Sequence, residues 1–172
     1  MIRMTFVFVA AALLVAGRTP AHAEWKKYKY AADGFEVEFS GEVSVKPTPV
    51  SAETQKKVVR ATAYLQDGGD FAYIVNASLH KEPVNFESGI KGSFGALKCK
   101  TAATDKPLNV SAGRARELSG DECGEDGAVR AEARYFTTGK WFYQVLFLIP
   151  RNGDLEASRR FLRSFKLTGK AS

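Results

Sequence analysis

His80, Ser93, the two cysteines Cys99 and Cys123, and an acidic run around Cys123 are the side chains of this sequence whose types and spacing bear on chemistry. His80 precedes Lys81-Glu82-Pro83, a setting that would suit a general base beside a carboxylate. A lone histidine at a strand end is more often a surface residue, and it is read here as one. Ser93 lies in Gly92-Ser93-Phe94-Gly95, which lacks the G-x-S-x-G elbow that lifts a serine nucleophile out of a sheet. Asp121, Glu122, Glu125 and Asp126 offer oxygen ligands, but without the D-x-[DN]-x-[DN]-G order of a calcium loop. They are expected to form a solvated hairpin turn. No catalytic set, metal site or cofactor is predicted.

Two groups remain as candidate binding residues. Trp25, Tyr28, Tyr30, Trp141 and Tyr143 are amphipathic aromatics near strand openings, suited to lining a cleft for a small molecule or peptide. Arg159, Arg160 and Arg163, near Arg151, Lys166 and Lys170, give the C-terminal end a basic face. That face would meet anionic lipid or polysaccharide, or else is an ordinary solvated helix face with cations toward its C-terminal end.

The compartment follows from the first residues. Arg3, the apolar run Phe6 to Ala16 and the small residues of Ala21-His22-Ala23 fit a secretory signal peptide over residues 1–23, cleaved before Glu24. The apolar run falls short of the ~20 residues of a spanning helix, so no transmembrane segment is expected in the mature chain. Export places Cys99 and Cys123 in an oxidising compartment, periplasmic or extracellular, where an even count reads as one disulfide. Closing a loop of about 25 residues contributes roughly 3.5 kcal/mol on the chain-entropy model. Arg3 and Arg18 leave with the signal, lowering the formal charge of +6 by two. A balance so mildly basic, in an exported protein, argues against nucleic acid as a partner.

Residues 24–172 are expected to form one domain, with no repeat or linker dividing them. Trp25 to Tyr30 and Phe35 to Phe39, split by Asp33-Gly34, read as a hairpin with Phe35, Val37 and Phe39 on one face. Pro47 and Pro49 mark an edge or loop. Residues 56–65 and 71–80 form a second pair around Asp67-Gly68-Gly69-Asp70, with Val59, Ala61, Ala63 and Leu65 expected to share the face of Phe71, Tyr73, Val75, Ala77 and Leu79. Residues 85–98 carry Phe86, Ile90, Phe94 and Leu97 at helical spacing, weakened by Gly89, Gly92 and Gly95. Strands follow at 112–118, 127–137 and 141–150. The last is apolar on both faces and is expected at the centre of the sheet. A helix capped at Gly153-Asp154 closes the chain, with Leu155, Phe161, Leu162 and Phe165 turned inward.

The opening strand Gly34-Phe35-Glu36-Val37-Glu38-Phe39, the aromatic strands of residues 134–145 with their Thr-Gly turn, and the closing Arg160-Phe161-Leu162-Arg163-Ser164-Phe165 together resemble small exported domains of the PsbP-like class. Ser40 and Val43 stand where that class usually has prolines. The resemblance covers nearly all of residues 24–168. It implies an α+β fold in which an antiparallel sheet of six to seven strands is flanked by helices, and it carries no shared catalytic set. The expected function is a non-catalytic binding or accessory protein of the cell envelope, acting on an envelope protein or a small ligand. A small periplasmic hydrolase, or a structural or inhibitory protein capping an envelope enzyme, are the alternatives.

Overall fold

The computed structural model describes residues 24–49 and 51–169; the expected signal peptide lies outside them. The first hairpin forms as its sequence predicts. Strand β1 (Lys26–Tyr30) runs antiparallel to β2 (Phe35–Phe39), in register from Lys26 opposite Phe39 to Tyr30 opposite Phe35. A single 3₁₀ turn, Ala31–Asp33, joins them and ends at Gly34, whose φ of 69° is a left-handed conformation open to glycine at little cost. Phe35, Val37 and Phe39 are fully buried, so the alternation of β2 is a one-sided burial.

A second, larger sheet holds seven strands, all antiparallel. They are β3 (Ser44–Pro47), β4 (Val58–Asp67), β5 (Ala72–His80), β6 (Thr101–Leu108), β7 (Arg114–Cys123), β8 (Val129–Thr138) and β9 (Trp141–Pro150), in the order β3-β4-β5-β9-β8-β7-β6. β9 is the central strand, as its two apolar faces require. Trp141, Tyr143, Val145, Phe147 and Ile149 enter one core, whereas Leu146, with Phe142 and Leu148, enters the other. Pro47 falls on the edge strand β3, where its missing N–H interrupts no central ladder.

Helices and the small sheet cover the two faces. Helix α2 (Phe86–Gly95) is capped by Asn85, whose side chain accepts from the Ser88 N–H, and it buries Phe86 and Ile90 against Leu118, Ala133, Tyr135 and Leu146. Helix α3 (Leu155–Ser164) starts at Asp154, which caps the Ala157 N–H at 2.9 Å, and buries Phe161 and Leu162 on the opposite face. Strand β10 (Lys166–Leu167) then pairs with β2, so that a three-stranded sheet β1-β2-β10 lies beside α3 over that face. Phe161 stacks on Tyr73 at 4.9 Å, and truncating so buried a ring costs about 3–5 kcal/mol.

Five details differ from the sequence reading. The opening hairpin belongs to its own small sheet, because β10 pairs with β2. In β4 the side chains that share the face of Val75 and Tyr73 are Tyr64 and Gln66, paired across the ladder, while Leu65 opposes Ile74 on the other face. Val59, expected inside, is 60% exposed beside an irregularity between Val58 and Arg60. A short helix α1 (Ala52–Lys57), capped by Ser51 on the Thr54 N–H, takes up residues 56 and 57. Finally, β6 is a strand that its polar sequence, TAATDKPL, did not signal.

Candidate binding cleft

A buried carboxylate organises one end of the small sheet. Asp33, 3% exposed, accepts from the Tyr64 hydroxyl and is ion-paired with Arg60. Arg60 also donates to the Ala32 carbonyl at 2.8 Å, and its guanidinium lies 5.5 Å from the centre of the Trp141 ring. Tyr143 donates to the Asp33 carbonyl at 2.9 Å. Burial raises the pKa of Tyr64 and of Tyr143, and the Asp33 charge raises both further while Arg60 opposes it. Burial, with a contribution from Tyr28, pushes the Tyr30 phenol up to about 12. This end of the fold is therefore a fixed aromatic frame around one ion pair.

A cleft of about 630 Å³ opens against that frame. Its lining includes the rings of Phe136, Tyr143 and Phe165, with Val110 on the β6–β7 connection and Lys166 and Leu167 of β10. Phe165 lies 4.8 Å from Phe136 and 5.8 Å from Tyr143, so the three rings pack as one buried cluster that floors the cleft. The size matches clefts that bury a drug-sized molecule or a short peptide segment.

Of the five aromatics singled out from sequence, Tyr143 lines this cleft and the others do not. Trp141 is 3% exposed and stacks on Tyr143 at 5.5 Å. Trp25 stacks on Tyr73 at 6.0 Å. Tyr30 packs on Tyr64 at 4.1 Å, and Tyr28 meets Phe39 edge-on at 5.8 Å beside a separate hollow lined by Lys26 and Ser40. Sequence reasoning missed Asp33 and Val110. The Asp-Gly turn was visible, but the partners that make Asp33 a buried group come from β4 and β9. Val110 escaped because β6 did.

The three arginines each meet a carboxylate of the same chain. Arg159 binds Glu132 through two nitrogens at 2.8 and 3.2 Å. Arg160 reaches Glu38 at 3.0 Å and lies over the Trp25 ring at 4.7 Å. Arg163 pairs with Glu156 at 2.6 Å. Of the acidic run expected as a turn, Asp121 and Glu122 lie instead in β7, paired with Arg130 and with Arg151 and Lys100, while in the turn Glu125 pairs with Lys98 and Asp126 accepts from the Ala128 N–H. Among the described residues no cluster of three His, Cys, Asp or Glu side chains is placed to hold a metal ion.

Cys99 and Cys123 are disulfide-bonded, tying the segment after α2 to the end of β7. The Gly124 N–H donates to Leu97 O at 2.9 Å in the same place. His80 sits 3.0 Å from Ser78 Oγ, and Ser78 Oγ is also 3.3 Å from the Phe142 carbonyl. A carbonyl only accepts and a hydroxyl has one proton, so satisfying both contacts makes Ser78 the donor to Phe142 and His80 Nε2–H the donor to Ser78. In that arrangement His80 does not withdraw the Ser78 proton. Ser93 donates to Gly89 O at 2.7 Å within its own helix.

This layering, a seven-stranded antiparallel sheet with a helix on one face and a small sheet plus a closing helix on the other, is the α+β arrangement of the PsbP-like class. Specifically, the chain is similar to the solution structure of cyanobacterial PsbP (CyanoP) from Synechocystis sp. PCC 6803, with a TM-score of 0.58 and 11% identity, covering 84% of this chain and 93% of that one. At that identity the likeness is one of fold. A crystal structure from Bacteroides thetaiotaomicron VPI-5482 also aligns, with a TM-score of 0.46 and 8% identity over 86% of this chain and 50% of that one. No family model and no curated protein matches the sequence. No described helix is long and apolar enough to cross a membrane.

Proposed function

We propose that residues 24–172 form an exported accessory domain that binds an extended segment of an envelope protein in the cleft beside β10. The cleft itself carries this reading: a floor of three packed aromatic rings, with Val110 and Leu167 on its more open sides, lies next to a two-residue edge strand whose described pairing is to β2 alone. An edge strand offers unpaired backbone groups to an incoming chain, and an adjoining apolar surface accepts alternate side chains of that chain. The Asp33 network holds Tyr143 in place before any partner arrives, which reduces the ordering cost of binding. The fold supports the accessory role by likeness of architecture.

A photo-crosslinking residue substituted for Val110, on the exposed rim of the cleft, tests this in intact cells. One dominant protein adduct, absent when the same residue replaces Val59 on β4, is the expected result. Equal adducts from both positions, or none from position 110, overturn the proposal.

A further inference from the structure

On the opposite face of the large sheet a second cavity, of about 270 Å³, lies between α1, α2 and strands β4, β5 and β9. None of its described lining residues is Asp, Glu, Lys or Arg. Its apolar side is made by the Phe142 ring with Val58 and Val84. Gly89 leaves room there, because a Cβ at that position would come within 2.8 Å of the ring. Its polar side is made by Thr48, Asn76, Ser78 and His80.

The hydrogen bonds around it leave particular polar groups without a partner among the described residues. Asn76 Nδ2 donates to Gln144 Oε1 at 2.9 Å, and Gln144 Nε2 donates to the Tyr135 hydroxyl at 3.1 Å. This relay fixes both amides and leaves Asn76 Oδ1 as an acceptor with no bond among the described residues. His80 Nε2 is occupied by Ser78, which leaves Nδ1 as a second acceptor. Thr48 Oγ1 is buried with no hydrogen-bond partner. A buried hydroxyl left unsatisfied costs stability, and native folds keep few such groups.

We propose that this cavity is a binding site for a small neutral one-ring compound bearing a carboxamide or hydroxyl group, its ring against Phe142 and its polar group on Thr48 and Asn76. The apolar wall takes a ring, the acceptors call for N–H or O–H donors, and the absence of charged lining residues leaves a carboxylate or ammonium without a counterion against an apolar wall. The site is independent of the cleft beside β10, which lies on the other face of the sheet.

Benzamide is the probe, with benzoate and benzylammonium as charged analogues of similar shape, titrated into isotopically labelled protein purified from cells expressing the full chain. Benzamide is expected to give saturable NMR shifts at the backbone N–H groups of Asn76, Ser78, His80 and Gly89, with both charged analogues at least about tenfold weaker. Thr48→Val is expected to raise the melting temperature, by removing the unsatisfied hydroxyl, while weakening benzamide about tenfold. Ala61→Leu, which fills the cavity from β4, is expected to abolish the shifts in a protein that still melts cooperatively. Absence of saturable shifts at the four amides, charged analogues that bind as well as benzamide, or unchanged affinity in Thr48→Val would each overturn the proposal.

Discussion

Tyr143 on the central strand donates its hydroxyl proton to the main-chain carbonyl of Asp33 at 2.9 Å, joining two residues 110 positions apart. The bond pins the turn of the small sheet to the middle of the large one. Tyr64 and Arg60 reach the carboxylate of the same residue, so the β1–β2 turn is held from both its backbone and its side chain.

Tyr143→Phe keeps the ring on the wall of the cleft and removes only that bond. The Asp33 carbonyl is left buried without this donor, and the expected loss is about 1–3 kcal/mol. Urea unfolding of the variant measures it. A loss below a few tenths of a kcal/mol would mean that water or another donor already serves the carbonyl.

His80 gives a pH signature with a definite sign. Burial lowers its pKa from 6.5, so the folded state holds the imidazole neutral more firmly than the unfolded chain does. Its contribution to stability is fully present above the unfolded value and is lost as pH falls through the lower folded value. Unfolding measured from pH 8 down to about pH 5 should therefore fall more steeply below 6.5 in the native protein than in His80→Gln. Parallel curves would show that the ring is not desolvated by folding.

The disulfide offers a third check. Replacing Cys99 and Cys123 together by serine is expected to lower stability by about 2–4 kcal/mol, through the larger freedom of the unfolded chain. The cooperative transition should survive, since both cores lie mainly outside the bridged loop. Alkylation of the native protein before and after reduction reads the bridge directly. Labelling of both thiols without reductant would contradict it.

How much was legible follows from where the sequence carries contrast. β9 announced itself because an uninterrupted apolar run has one place to go, the middle of a sheet covered on both faces. The β1–β2 hairpin and the Asp154 cap were equally readable, since turn glycine and capping carboxylate act locally. β6 was not, because an edge strand paired to β7 alone needs no apolar alternation, and its residues Thr101 to Leu108 show none. The face of β4 was misassigned for a related reason: Ala61, Ala63 and Leu65 look like the core side, yet the register that sets Tyr64 opposite Val75 buries the tyrosine instead. Asp33 and the cleft depend on pairings across 27 to 110 residues, which local pattern does not encode.

The arginines of α3 look alike in sequence and differ in consequence. Glu132 is 9% exposed at its side chain and is held by two bonds from Arg159, whereas Glu156 is 79% exposed and meets Arg163 in open solvent. Removing Arg159 strands a buried carboxylate, and removing Arg163 returns a solvated one to water. Arg159→Gln is thus expected to cost about 1–3 kcal/mol and Arg163→Gln no more than about 0.5 kcal/mol. Salt should reduce the first loss only in part, because Glu132 is buried and poorly screened although its partner Arg159 is 45% exposed. An anionic surface that recruited these side chains would also have to displace Glu132, Glu38 and Glu156, so binding to anionic vesicles should be weak at physiological salt and no stronger for Arg159 than for Arg163. Thermal unfolding of the two single variants at low and high salt decides the stability claim, and equal losses would show that burial of Glu132 is not what separates them.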